Sequence, residues 1–334
     1  MARFEELGPR APVVEAIRVD QLNPRARAVR CIAAVIALVV AVILLIPVFI
    51  MGITAFKTRG DILASPPKVF FRPTLEGFVY LLTDRAVATQ SRLQELEQKA
   101  KEGKLSLFDR IALGTGQEIT GPSAYVFRLW NSVIIAGIST LFSVLLGLLA
   151  AYAFSRFKVP GKDDLMFFIL STRMLPAVVV TIPLFLMYSE LRLHDTHLGM
   201  ILLYTVFNLS FSVWLLKGFI DEIPKEYEEA ALVDGYSRLQ AFFKVVLPQA
   251  VTGIAATTVF CLIFAWNEYA FALMLTSQRA RTAPPSIASM LGRGGIEWSA
   301  IAAGSLGFLI PVVIVTFALR KYLLRGITFG AIRG

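Results

Sequence analysis

Six stretches of the chain are almost free of charge: residues 31–55, 129–154, 165–188, 198–216, 250–275 and 300–319. Each is close to the roughly 20 apolar residues that one helical crossing of a bilayer needs. The pattern predicts an all-α, polytopic membrane protein with six transmembrane helices. The first run follows a polar stretch with Arg3, Arg10, Arg18, Arg25, Arg27 and Arg30. It is too long for a signal-peptide core and lacks a clear small-residue cleavage site, so it reads as an uncleaved first span. An even number of crossings puts both termini on one side, and the cationic tail (Arg320, Lys321, Arg325, Arg333) agrees with the N-terminus that this side is the cytoplasm. Inner loops then carry Arg156, Lys158 and Lys162, and Lys217, Lys225, Arg238 and Lys244, whereas Arg279, Arg281 and Arg293 run against the rule. The organisation is a cytoplasmic tail 1–30, a first transmembrane helix 31–56, an extracytoplasmic loop with a helical insertion 57–127, a core 128–325 containing the loop 217–250, and a cytoplasmic tail 326–334.

The long outer segment changes character midway. Pro66, Pro67 and Pro73 with Phe70 and Phe71 predict extended chain, and residues 90–107 are rich in helix formers with Glu95 one turn before Lys99, which predicts a solvated surface helix. Gly103, Gly114 and Gly116 punctuate it. A cap over the outer mouth and a docking surface for an external partner are both open readings.

Composition narrows the function classes. Of 334 residues 56% are hydrophobic and 17% charged, against roughly 25% charged in soluble domains, which argues against a water-soluble enzyme. The net charge of +9 belongs to span ends and anionic lipid better than to nucleic acid. Cys31 and Cys261 lie in apolar runs and support neither a disulfide framework nor a thiolate metal site. His194 and His197 lack further ligands, so no metal site is assigned. Neither Pro160-Gly161-Lys162-Asp163 nor the Gly114–Gly116 stretch has the spacing of a nucleotide loop; the chain carries no catalytic residue, holds no cofactor and does not hydrolyse ATP alone.

Two ionisable residues lie inside the apolar runs, Arg173 and Glu268. Such groups are costly in lipid and default to functional hypotheses. Arg173, roughly 12 Å into its span at about 1.5 Å per residue, either makes a structural ion pair or snorkels, or else lines a substrate path; pairing with Glu268 is one option. Glu268, with Asn267 and Trp266, either satisfies a broken helix backbone or touches substrate. Pro176 and Pro183 predict kinks in the third span. One carboxylate and no convincing repeat are poor material for a stand-alone ion-driven carrier.

The most informative stretch is residues 217–250, KGFIDEIPKEYEEAALVDGYSRLQAFFKVVLPQA, which predicts two short helices. Pro224 fits a first helical position, Glu226, Glu228 and Glu229 suit the positive helix start, and Gly235 suits a left-handed terminus. Ser237 then caps a second helix carrying Leu239, Phe242, Phe243 and Val246, until Pro248 redirects the chain. The small Ala230 and Ala231 invite close packing by another protein, although an ordinary interfacial hairpin would read similarly.

Glu229-Ala230-Ala231, three residues, Gly235, nine residues, Val245, one residue, then Leu247-Pro248 resembles the EAA signature of permease subunits in binding-protein-dependent ABC importers, with Val245 for the usual isoleucine. The likeness is greatest to maltose-type carbohydrate permeases. It extends to Asn131-Ser132, the segment 151–157 (AYAFSRF), Leu175-Pro176, Pro183, Asp195-Thr196, Trp266-Asn267-Glu268 and the tail from Arg325-Gly326 to Gly330-Ala331 and Gly334. The insertion 85–119 departs from the family.

The resemblance implies a type I ABC importer permease fold in a bacterial inner membrane, both termini cytoplasmic. It implies a second, similar permease subunit, two ATP-binding subunits that hold ATP and Mg²⁺, and an external solute-binding protein. The cargo implied is a sugar or derivative (sugar, polyol or anionic sugar); a secondary carrier or an importer for a non-sugar solute is the alternative. Glu229, Ala230, Ala231, Asp234, Gly235, Leu247 and Pro248 would couple to the ATPase, the tail 326–334 would reach toward it, and Arg173, Asn267 and Glu268 are substrate-path candidates.

Overall fold

The computed structural model describes residues 24–66, 68–292 and 295–330, and the chain divides into two units, residues 1–50 and 51–334. The expected N-terminal tail lies outside the described residues up to position 23. The first unit is made by helix α1 (Pro24–Thr54), which runs on into the second. Proline at its first position wastes no hydrogen bond there, and Ala28–Thr54 is long and apolar enough to cross a membrane.

The second unit opens with an insertion of α2 (Arg59–Ile62), α3 (Glu76–Leu82), β1 (Thr83–Val87), α4 (Gln90–Lys101), α5 (Leu107–Thr115) and β2 (Gln117–Pro122). The surface helix expected over 90–107 is α4, whose Leu96 is fully buried. The strands and α5 add to the all-α expectation: β1 and β2 pair antiparallel with an irregularity at Asp84/Arg85 and carry the α4–α5 pair at their far end. α5 starts at a reciprocal cap between Ser106 and Asp109 and stops at Gly116, φ +66°.

The remaining elements are α6 (Tyr125–Arg156), α7 (Lys162–Ser171), α8 (Ala177–Glu190), α9 (His197–Asp221), α10 (Glu226–Val233), α11 (Arg238–Ala241), α12 (Leu247–Gln249), α13 (Val251–Trp266), α14 (Ala270–Leu275), α15 (Ala283–Ala288), a two-residue pair β3 (Leu291–Gly292) and β4 (Gly295–Ile296), and α16 (Trp298–Gly330). The core is α6 against α9 and α13. Every fourth residue of α6 from Ser139 to Ser155 (Ser139, Ser143, Gly147, Ala151, Ser155) is small and buried, the arrangement that lets membrane helix backbones approach. The Ser143 hydroxyl donates to Thr205 O of α9 at 3.1 Å, and the Asn208 amide of α9 donates to Cys261 O of α13 at 3.1 Å. Ile135, Met200, Tyr204, Trp266 and Leu275 fill the core toward the insertion. Leu148, Leu216, Ile220, Phe242 and Val246 fill it at the other end.

Two of the six expected spans are broken. The third, expected to run unbroken through 165–188, is α7, a tight turn Thr172–Met174 and α8, bent by 91°. Pro176 drives this: it has no N–H to give and forces Leu175 into extended backbone (φ −67°, ψ 126°). In the fifth, expected through 250–275, α13 ends at Trp266 and α14 begins at Ala270. Among the described residues four helices are long and apolar enough to span alone, and up to six spans result when each of two bent pairs, Lys162–Met174 with Ala177–Glu190 and Arg238–Gln249 with Val251–Trp266, counts as one. α16 continues beyond the expected 300–319 to Gly330, so much of the expected tail is helix and residues 331–334 lie outside the described part.

Candidate functional site

α10 is eight residues long, too short to hold itself in water, and is fixed by one inward-facing charged residue. Glu226, Glu228 and Glu229 all occupy its first turn, yet Glu228 alone turns in, at 7% exposure. Its carboxylate pairs with Arg156 Nε at the end of α6 and accepts from the Tyr152 hydroxyl at 3.0 Å. The other donors of Arg156 reach Ile223 O at 2.9 Å and Ser155 Oγ at 3.0 Å. Ser155 in turn donates to Asp221 Oδ1 at 2.5 Å, and Asp221 pairs with Lys217. A buried ion pair repays its desolvation only when further hydrogen bonds satisfy both partners, and here they do. α10 is thereby fastened to the ends of α6 and α9.

The opposite face is open. Glu229, Ala230, Asp234, Gly235 and Pro248 are exposed, Leu247 is half-buried, and Ala231 packs inward, so Ala230 without Ala231 offers the expected small surface. Val233 and Leu239 stand 88% and 68% exposed beside them. Pro224 lies two residues before the helix rather than at its first position. Gly235 has φ +88°, and Tyr236 N donates to Ala231 O at 3.0 Å across it, the six-to-one closure that needs a left-handed residue. Ser237 and Gln240 cap α11 reciprocally. The chain stays helical through a π turn Phe242–Val246 and through Pro248, and bends by 73° at Ala250; the redirection thus comes two residues after the proline.

Arg173 and Glu268 do not pair. Arg173 sits in the break between α7 and α8 with its guanidinium 4.2 Å from the Phe264 ring centre and 5.0 Å from that of Phe211, and its Nη1 has no hydrogen-bond partner among the described residues. Glu268 spans the other break: it accepts from Phe271 N at 2.8 Å, Ala272 N at 3.0 Å and the Tyr204 hydroxyl at 2.7 Å. It therefore caps α14, satisfying the N–H groups that a helix start leaves free. Asn267, exposed, turns its amide back onto Ile263 O at 2.8 Å.

At the insertion end, residues 275–283 are stapled to α6 and α9. Asn131 donates to Arg279 O at 2.9 Å and Arg281 O at 3.0 Å, which leaves its Oδ1 to accept from His197 Nε2 at 2.8 Å and fixes the proton on that nitrogen. Asp195, with φ 53°, accepts from the backbone N–H groups of Ser277, Gln278, Arg279 and Ala280. Burial alone would raise its carboxyl pKa, but these four amides hold it well below the usual range. Its contribution to stability is complete above the unfolded carboxyl value of about 3.9 and is lost as pH falls through the lowered folded value. Asp195→Asn is expected to cost about 1–2 kcal/mol at pH 7, with the gap to wild type closing below about pH 4; thermal unfolding across pH 2–8 checks both, and a pH-independent gap would contradict the charge argument.

The sequence reading missed Tyr152, Arg156 and Glu228 as one cluster and Asp195 as the cap of a loop eighty residues away. Among the described residues no cluster of metal ligands occurs.

Residues 143–329 match the family described as "Binding-protein-dependent transport system inner membrane component". The chain is 38% identical over 237 residues to the trehalose transport system permease protein SugB of Mycobacterium tuberculosis, covering 70% of this chain and 86% of that one. It is 30% identical over 300 residues to the trehalose/maltose transport system permease protein MalG of Thermococcus litoralis, covering 89% and 95%. In fold it resembles a chain of a bacterial ABC transporter involved in import of the acidic polysaccharide alginate, with TM-score 0.59 and 20% identity over 90% of this chain and 99% of that one.

Proposed function

The chain belongs to the family of binding-protein-dependent transport system inner membrane components, and we propose that it is the permease subunit of an importer passing a sugar or sugar derivative into the cytoplasm. It is a transport component, not an enzyme. The power comes from two partner subunits that bind ATP and Mg²⁺, the pore is completed by a second, similar permease, and the cargo arrives on a solute-binding protein outside. Both termini and α10 face the cytoplasm. The printed names of the relatives support the sugar class, since two of them carry trehalose or maltose.

The observation that carries the coupling role is the two-sidedness of α10. Its inner face is fastened through Glu228 to Arg156, while Glu229, Ala230, Asp234, Gly235 and Pro248 stay open. A push on that outer face reaches α6 and α9 as a rigid displacement. Ala231 and Leu247 hold the surface from beneath. On the substrate path we place Arg173 and Asn267, with Glu268 shaping the path by capping α14.

Reconstitution tests the proposal: this chain alone in liposomes transports nothing, and addition of the second permease, ATPases and binding protein yields sugar-stimulated ATP hydrolysis and uptake. Ion-driven uptake by the isolated chain would overturn it. Gly235→Asp is expected to lower coupled uptake at least tenfold while the chain still inserts. Among the described residues, its chain neighbours aside, a Cβ at Gly235 would meet no atom within 4 Å, so such a loss reports a partner's surface together with the backbone strain of a side chain at φ +88°. Arg173→Ala is expected to change uptake kinetics more than insertion; unchanged kinetics would make the residue purely structural.

A further inference from the structure

The chain between α1 and α3 closes into a loop at the ends of two helices that can cross a membrane. Thr74 N donates to Phe56 O at 2.8 Å, which joins the two ends of residues 57–73 just after α1 stops at Thr54. The exit of the loop is fixed at α16 as well. Gly77, in the first turn of α3, is packed so closely that an added Cβ would lie 2.6 Å from Ala55 O and 2.7 Å from Ser299 O. The apolar stretches that can span are Ala28–Thr54 and Trp298–Lys321, so the base of the loop stands where one span ends and another begins. Trp298, exposed at that start, is a residue type that collects at membrane surfaces.

Within the loop the polar side chains hold one another and the apolar ones are turned out. Buried Lys57 donates to Lys68 O at 2.8 Å and lies 5.0 Å from the centre of the Phe71 ring. The Thr58 hydroxyl donates to Asp61 Oδ2 at 2.8 Å, and Lys68 pairs with Asp61 at 2.7 Å. The two holds of Lys57 thus fall at positions 68 and 71, and the residues between them, Val69 and Phe70, are 72% and 95% exposed. Leu63 and Leu75 are exposed with them. Apolar side chains presented in this way are unfavourable in water and favourable among acyl chains. The charges near the loop come close to cancelling: Lys57, Arg59, Lys68 and Arg72 stand with Asp61 and Glu76, and Glu297 is shared by Arg59 at 3.9 Å and Arg85 at 3.8 Å. The attraction to a membrane is therefore mainly apolar, with exposed Arg72 beside the pair to meet lipid phosphate.

We propose that residues 57–73 form a lipid anchor, with Val69 and Phe70 seated in the leaflet where α1 ends and α16 begins. The anchor goes beyond the importer reading and requires only that these helices span the membrane; it holds or fails whatever the cargo and whatever drives transport.

The test is electron paramagnetic resonance on the intact chain in nanodiscs of phosphatidylethanolamine and phosphatidylglycerol, with one nitroxide label at Phe70→Cys. The background is Cys31→Ala, which removes the exposed native thiol; Cys261 is fully buried. Collisions with oxygen, which concentrates in lipid, are compared with collisions with a water-soluble nickel chelate. Lys104→Cys, at an exposed position after α4, supplies the aqueous reference. The oxygen-to-nickel ratio at position 70 is expected to be at least five times that at position 104. Should Phe70→Cys not remain monodisperse, Val69→Cys is expected to give the same contrast. A ratio at the anchor position equal to that at 104 would overturn the proposal, since a surface kept free in water for a protein partner gives that result. Few collisions with either reagent would overturn it too, because the side chain would then be covered by protein and not by lipid.

Discussion

Glu228→Gln is expected to cut coupled uptake at least tenfold and to free α10 from the bundle. The substitution keeps the side chain's size but leaves the Arg156 guanidinium, 5% exposed, without its countercharge. Breaking one partner of a buried pair costs about 3–5 kcal/mol, more than an eight-residue helix can supply from its own hydrogen bonds. The loss should be local, because the core around Leu216 and Ile220 packs below the pair. Amide exchange over residues 223–236 should therefore accelerate by two orders of magnitude or more, while α6 and α9 keep their protection. The double variant Glu228→Leu with Arg156→Met separates stability from coupling. An apolar pair of similar size is often neutral or stabilising, so it should restore protection of α10, and uptake should return with it if rigid attachment is what matters. Wild-type exchange rates in Glu228→Gln would remove the fastening role.

This pair also marks where sequence reading stops. The spans were visible because each is a long run with at most one charge, and the α10–α11 turn because Gly235, Ser237 and Gln240 act on near neighbours. Both breaks lie inside such runs, where hydropathy is blind to them; Pro176 was the visible agent of one, and only the polar pair Asn267-Glu268 hinted at the other. Glu228 and Arg156 stand seventy-two residues apart, and nothing in an acidic triplet says which member turns inward. The β1–β2 pair was hidden for another reason: TDRAV and QEITGP carry no apolar alternation, so neither strand has the period that identifies a buried face. Asp195 was noticed as part of a motif, but its work on the amides of 277–280 depends on a left-handed backbone that only the fold reveals.

Gly147→Val is expected to damage the packing of α6 against α9 severely. A Cβ added at Gly147 would lie 2.7 Å from Ser212 Cβ and 3.2 Å from Ser212 C, closer than packed carbons tolerate, and valine brings two further methyl groups. α6 and α9 would have to separate, which also stretches the Ser143 bond to Thr205 O across the same seam. Overpacking costs typically about 1–3 kcal/mol. Here it should exceed the upper figure, because the clash is partly with backbone and the seam is built from small residues that cannot yield. The expected readout is a fall in the thermal midpoint of the purified chain by several degrees at least, with loss of association with the partner subunits. Gly147→Ala should be milder, and combining it with Ser212→Gly should recover part of the loss, since the nearest contacts are side-chain atoms of Ser212 while the 3.2 Å approach to its backbone remains. Gly137→Ala provides the contrast: it lies on the same helix, a Cβ there meets nothing within 4 Å, and it should be neutral or slightly stabilising. Equal effects at positions 137 and 147 would mean that helix propensity, and not the close approach of α6 to α9, explains the glycine.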